Sequence, residues 1–127
     1  MERATFRKHE RLTGRLRIEE VVKTGRSVFE PPFKLVGKLM ELPTTAPVQV
    51  AFAIPKRYMK MAVQRNRMRR LLREAYRLNK HIYHERLTLA GKQCAWLFIY
   101  QGKTPLTLSE TQLKITRSMD RWLKQHG

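Results

Sequence analysis

The sequence predicts one α+β domain over residues 1–127, with three helices and a sheet of three or four strands. Val48-Gln-Val-Ala-Phe-Ala-Ile54 alternates large apolar residues with small or polar ones, the period of a half-buried strand. Cys94-Ala-Trp-Leu-Phe-Ile-Tyr100 is an almost unbroken apolar run of strand length, as expected for a strand covered on both faces. From about Val63 to Asn79, and again from Leu108 to Leu123, apolar residues recur every three or four positions, which gathers them on one side of a helix. A chain of 127 residues, 42% of them apolar, can fill one core but not two.

The elements follow in order. Residues 1–17 carry Arg3, Arg7, Lys8, Arg11, Arg15 and Arg17 with few apolar groups beyond Phe6, Leu12 and Leu16, and should be extended or loosely ordered. From Leu16, the spacing of Ile18, Val21 and Val22 suits a short helix, which Gly25 can end in a left-handed cap conformation. Its β-branched residues are weak helix formers, so packing must hold it. Pro31-Pro32 predicts an extended connection into a strand at Phe33–Leu39, and Glu41 to Pro47 a turn. Pro55 has no amide hydrogen for a central ladder, so the strand from Val48 must stop there or lie at an edge. In the long helix Met68, Leu71, Leu72, Ala75 and Tyr76 form the packing stripe. A turn at Ala90-Gly91 precedes the apolar strand, Gly102 and Pro105 close it, and Thr107-Leu-Ser-Glu110 is a capping box for the final helix. That helix packs through Leu108, Ile115, Met119, Trp122 and Leu123.

Charge narrows the function. With 27 Lys and Arg against 10 Asp and Glu, the net charge of +17 repels itself in the folded state, a cost that a polyanion relieves. The one cysteine, Cys94, cannot form an internal disulfide and suits burial as a small hydrophobe. Neither a signal peptide nor a stretch of about 20 apolar residues is present, so a cytoplasmic protein without a membrane partner is expected. The only aspartate, Asp120, lies within a predicted helix, which leaves a two-metal nuclease only scattered glutamates. His81 and His84 make an incomplete metal signature and read as surface histidines. No protein-bound metal or other cofactor is therefore predicted.

The most informative segment runs from Lys56 to Arg73, with eight basic residues and no acidic one. Arg65 and Arg69, Asn66 and Arg70, and Arg69 and Arg73 are each four apart, so a helix aligns them opposite the apolar stripe. Each like-charge pair costs an isolated helix about 0.2–0.5 kcal/mol, which regularly spaced phosphates would offset. Arginine forks grip two phosphate oxygens at once, and the Asn66 amide can both donate and accept toward a base edge or ribose hydroxyl. The bland alternative is a solvated basic face. DNA binding is less supported, because no paired-helix head, zinc spacing or heptad zipper accompanies the segment.

At Arg65-Asn-Arg-Met-Arg-Arg-Leu-Leu-Arg-Glu74 the sequence closely resembles the protein component of bacterial ribonuclease P. Ile54-Pro-Lys-Arg57 before it, Arg11-Leu12 and Val21-Val-Lys-Thr-Gly25 further upstream, and the strand and helix after it extend the resemblance over most of residues 11–123. The resemblance implies a four-stranded mixed sheet and three helices in a ribosomal protein S5 domain 2-like fold, with a left-handed crossover about the basic helix. It implies a subunit of an endonuclease whose catalytic RNA, using Mg²⁺, removes the 5′ leader of precursor tRNA, while the protein binds the leader and stabilises the RNA. No obligate protein partner is implied. Carried onto this chain, Lys56, Arg57, Lys60, Arg65, Asn66, Arg67, Arg69, Arg70 and Arg73 contact the catalytic RNA. Ile18, Val22, Phe33 and Val36 match the leader cleft. The family commonly has aromatic residues at the Ile18 and Val22 positions, and many relatives have a glycine in the turn that Met59-Lys60-Met61 occupies here. A noncatalytic ribosomal or RNA-scaffold protein is the alternative from another class.

Overall fold

Residues 8–127 are described in the computed structural model; Arg3, Phe6 and Arg7 of the expected extended start lie outside them. A single 3-10 turn, Lys8–Glu10, precedes α1 (Arg15–Thr24), β1 (Arg26–Glu30), β2 (Phe33–Leu39), β3 (Val48–Ala53), α2 (Ala62–Leu89), β4 (Cys94–Tyr100) and α3 (Leu108–His126). The four strands form one mixed sheet in the order β1-β2-β4-β3. β2 pairs antiparallel with both β1 and β4, while β3 and β4 run parallel and are joined through α2, the long crossover that parallel neighbours require.

Four local expectations need correction. β1 has no counterpart among the residue-level expectations, because only Val28 of Arg26–Glu30 is buried and so small an apolar signal has no readable period. Pro31-Pro32, a cis pair, is the turn of the β1–β2 hairpin rather than an extended connection. Gly25 ends α1 in an extended conformation (φ −76°, ψ 171°), its amide donating to the Val21 carbonyl; among the described residues positive φ occurs instead at Gly14, just before α1, and at Gly91, after α2. α2 also continues beyond Asn79 to Leu89, since Lys80, Tyr83 and Leu87 extend its buried stripe and no glycine intervenes before Gly91.

The sheet separates two apolar layers. Val48, Val50, Phe52, Trp96, Phe98, Phe33 and Leu35 face α2 and α3, whereas Val36, Leu97, Ala95 and Ala51 face α1 with Ile18 and Val21. Strand alternation produces this division, and β4, covered on both faces, is apolar nearly throughout. Cys94 is fully buried, and that burial pushes its thiol pKa up, as suits an inert core residue. Trp96 and Trp122 meet edge to face at 5.9 Å over Gly37, where a Cβ would lie 2.5 Å from each indole. No side chain larger than hydrogen fits there. Thr107 and Glu110 form the expected capping box of α3.

Both sheet edges are partly covered, which limits the unpaired strand edge left to solvent. At β3, Arg11 bridges to Val50 and the Leu12 amide donates to the Val50 carbonyl at 2.9 Å. At β1, α3 covers the edge: Trp122 Nε1 donates to the Arg26 carbonyl at 2.8 Å and Arg121 to that of Phe29. The amino-terminal segment is further fixed by the buried ion pair of Glu10 with Lys80 of α2.

His84 departs from the expected surface role, since it is partly buried on α2 with Nε2 2.8 Å from the Tyr76 hydroxyl. Burial, reinforced by the Lys80 charge and opposed by Glu10, holds its pKa down at about 4, against an ordinary 6.5. Between those values the unfolded chain carries a proton on this ring that the folded chain does not, so stability falls as pH drops through that window. The loss reaches about 3 kcal/mol at most. Urea unfolding at pH 7 and pH 4.5 is expected to show it, and His84→Gln to remove most of the difference. An equal pH dependence in parent and variant would exclude His84 as the source.

Candidate nucleic-acid interface

After β3, Pro55 accepts from the amides of Tyr58 and Met59 at 3.1 and 3.3 Å, and buried Met59 anchors the resulting turn. Lys56, Arg57 and Lys60 stand exposed around it, with the Arg57 guanidinium 4.9 Å from the centre of the Tyr58 ring. α2 then begins with no acidic residue in its first turn and no side-chain cap, so its positive dipole end faces outward beside these cations.

The motif arginines have different tasks. Arg65 Nη1 donates to the carbonyls of Met59 and Lys60 at 3.0 and 2.6 Å, bracing the turn rather than extending wholly into solvent as its spacing suggested. Arg69 donates to Asn66 Oδ1 at 3.1 Å, which orients both side chains. Arg67, Arg70 and Arg73 are exposed, with no hydrogen-bond or ion-pair partner among the described residues. Arg73 has its pKa lowered by partial burial and then by the like charges of Arg11 and Arg69. Arg11 thus joins the cluster from the segment along the β3 edge. The residues alone did not assign Arg11 to this surface, because its position depends on a pairing distant in sequence.

Ile18 and Val36 meet in the layer beneath α1, and Val22 is half-exposed on the same helix. Phe33 does not join them: it is fully buried on the opposite sheet face, with its ring centre 5.0 Å from that of Tyr100. Positions 33 and 36 of one strand differ by an odd number and must point to opposite faces, so the four expected leader residues do not share a surface. The register instead places Phe29, Lys34, Ile99 and Ala53 in one row across the sheet on the α1 side. All four retain exposure, and the row lies at the end of β3 from which the chain enters the basic turn. Phe29, Lys34 and Ile99 were not among the expected site residues; their common row is a product of strand pairing, not of local sequence.

The family model of Ribonuclease P matches residues 6–126. The chain belongs to the ribonuclease P family. A ribonuclease P protein component of Porphyromonas gingivalis is 38% identical over 84 residues, covering 65% of this chain and 61% of that protein. One from Chlorobaculum tepidum is 44% identical over 61 residues, covering 45% of this chain and 40% of that one. The alignments therefore span less than two thirds of these ribonuclease P proteins. The fold is similar to the solved RNase P protein of Staphylococcus aureus, with a TM-score of 0.70 at 17% identity over 90% of this chain and 95% of that one. It is also similar to that of Thermotoga maritima, with a TM-score of 0.68 at 19% identity over 88% and 96% of the two chains. Among the described residues of this ribonuclease P family member, no group of three or more His, Cys, Asp or Glu could hold a metal ion, and no helix is long and apolar enough to cross a membrane.

Proposed function

We propose that this chain is the protein subunit of ribonuclease P, assisting a catalytic RNA in endonucleolytic removal of the 5′ leader from precursor tRNA. The supporting observation is the family match over residues 6–126, in a chain whose Arg67, Arg70 and Arg73 project from the start of α2 without intramolecular partners among the described residues. Lys56, Arg57, Lys60, Arg65, Asn66 and Arg69 complete the surface for catalytic RNA, Arg65 and Asn66 chiefly by holding its shape. Ile18, Val22 and Val36 bound the leader cleft on the α1 side. Mg²⁺ belongs to the RNA partner and supplies activated water for hydrolysis. The finer fold reading is an S5 domain 2-like domain over residues 1–127 with a left-handed β3–α2–β4 crossover. Work in the cytoplasm with RNA partners, and without an obligate protein partner or a membrane, completes the proposal.

The test is reconstitution. Nuclease-free protein alone is expected to leave precursor tRNA intact, and protein with a matched catalytic RNA to remove the 5′ leader faster than the RNA does alone. Binding without any enhancement would identify an RNA scaffold instead, and cleavage by protein alone would overturn the division of labour.

A further inference from the structure

α3 carries a second basic face, distant in sequence from the motif on α2. Lys114, Arg117, Arg121 and Lys124 recur at intervals of three, four and three, which aligns them on one side of the helix. One carboxylate serves three of them: Glu30 of β1 lies 3.9, 3.8 and 3.1 Å from Lys114, Arg117 and Arg121. Of the other acids of α3, Glu110 is engaged with Thr107 in the cap, while exposed Asp120 stands three and four residues from Arg117 and Lys124, so that four cations face two carboxylates, Glu30 and Asp120. The stripe therefore keeps a surplus of positive charge, with adjacent like charges at the spacing that destabilises a helix.

An aromatic ring stands beside it. Phe29 is 49% exposed on β1, and Arg121 donates to the carbonyl of that same residue. The ring points to the α1 side, because its neighbour Val28 packs toward α2 and α3, whereas the cations lie on the α3 side of the edge. Cations that track a backbone and a ring on which a base can stack are the two components of a single-strand site. Only a flexible single strand could turn around the β1 edge to use both. β1 lies three strand spacings, about 14 Å, from β3 and the basic turn that follows it, so this is a separate part of the surface.

We propose that Lys114, Arg117, Arg121 and Lys124, together with the Phe29 ring, form a second RNA-binding surface for a single-stranded segment. Its phosphates come either from the precursor leader or from the catalytic RNA, and the experiment separates these sources. Arg117→Gln/Lys124→Gln leaves Glu30 its Lys114 and Arg121 partners, and unfolding measurements should show a stability close to the parent's. In the reconstituted particle, affinity is measured against salt for catalytic RNA, for precursor tRNA with a long leader and for mature tRNA. Loss of two phosphate contacts is expected to reduce the magnitude of the log–log salt slope by roughly 1.4. Phe29→Ala should weaken the same arm by about tenfold, with Phe29→Trp retaining affinity. A change confined to leader-bearing precursor identifies the leader, and one in assembly identifies the catalytic RNA. Unchanged slopes and affinities in every arm, in folded variants, overturn this surface while leaving the proposed function standing; a parent that binds neither RNA removes both.

Discussion

The triple variant Arg67→Ala/Arg70→Ala/Arg73→Ala is expected to bind catalytic RNA roughly 100- to 500-fold more weakly than the parent at 0.1 M salt. Each phosphate contact releases condensed counterion, so affinity varies with salt to a power of about 0.7–0.9 per contact. Three lost contacts multiply to that range at 0.1 M and reduce the magnitude of the slope by roughly 2 to 3. These arginines are the informative choice because they are exposed and lack intramolecular partners among the described residues. Arg65 is not: removing it also releases the carbonyls of Met59 and Lys60, and any binding loss would mix RNA contact with a loosened turn. Affinity measured across a salt series, beside urea unfolding of both proteins, checks the prediction. A folded triple variant with the parent's affinity and slope would leave the α2 surface without a role in assembly.

The sequence exposed what depends on local periodicity and concealed what depends on pairing. Val48, Val50 and Phe52 were legible as one strand face because alternation is a property of consecutive residues, and the apolar run at Cys94–Tyr100 marked a strand buried on both sides. The capping box at Thr107 was equally local. β1 was not legible, since an edge strand with one buried residue offers no pattern, and its identity depends on β2. The early end expected for α2 had a related cause: past Asn79 the buried stripe continues through Lys80, a charged residue whose burial depends on Glu10, seventy residues away.

The candidate site divides in the same way. Spacing alone indicated that Arg65 to Arg73 form a basic helix face, and the family resemblance supplied an RNA partner for it. Neither separated Arg65, which braces the turn, from Arg67 and Arg70, which project into solvent, because that distinction rests on carbonyls presented by the preceding turn. Arg11 reaches the cluster only through the bridge of the amino-terminal segment to β3. For the leader cleft, the resemblance selected Phe33 and Val36 together, although strand parity alone separates two positions three apart.

Phe33→Ala is expected to cost about 3–5 kcal/mol of folding stability, the usual range for truncating a fully buried phenylalanine. The ring sits on β2, between β1 and β4, packs against Tyr100 and belongs to the layer covered by α2 and α3, so alanine leaves a cavity that rigid neighbours cannot readily fill. The proposed leader cleft, with Ile18 and Val36, lies on the other side of the sheet. In the reconstituted particle, the folded fraction of Phe33→Ala should therefore retain the parent's preference for precursor over mature tRNA, at every leader length tested. A base-stacking role predicts the reverse: near-parent stability, with roughly 1–3 kcal/mol of affinity lost only when a leader is present. Urea unfolding and binding to precursors with successively shortened leaders, measured on the same preparations, distinguish the two. A stable Phe33→Ala protein that no longer discriminates precursor from mature tRNA would show that the ring leaves the core to meet RNA.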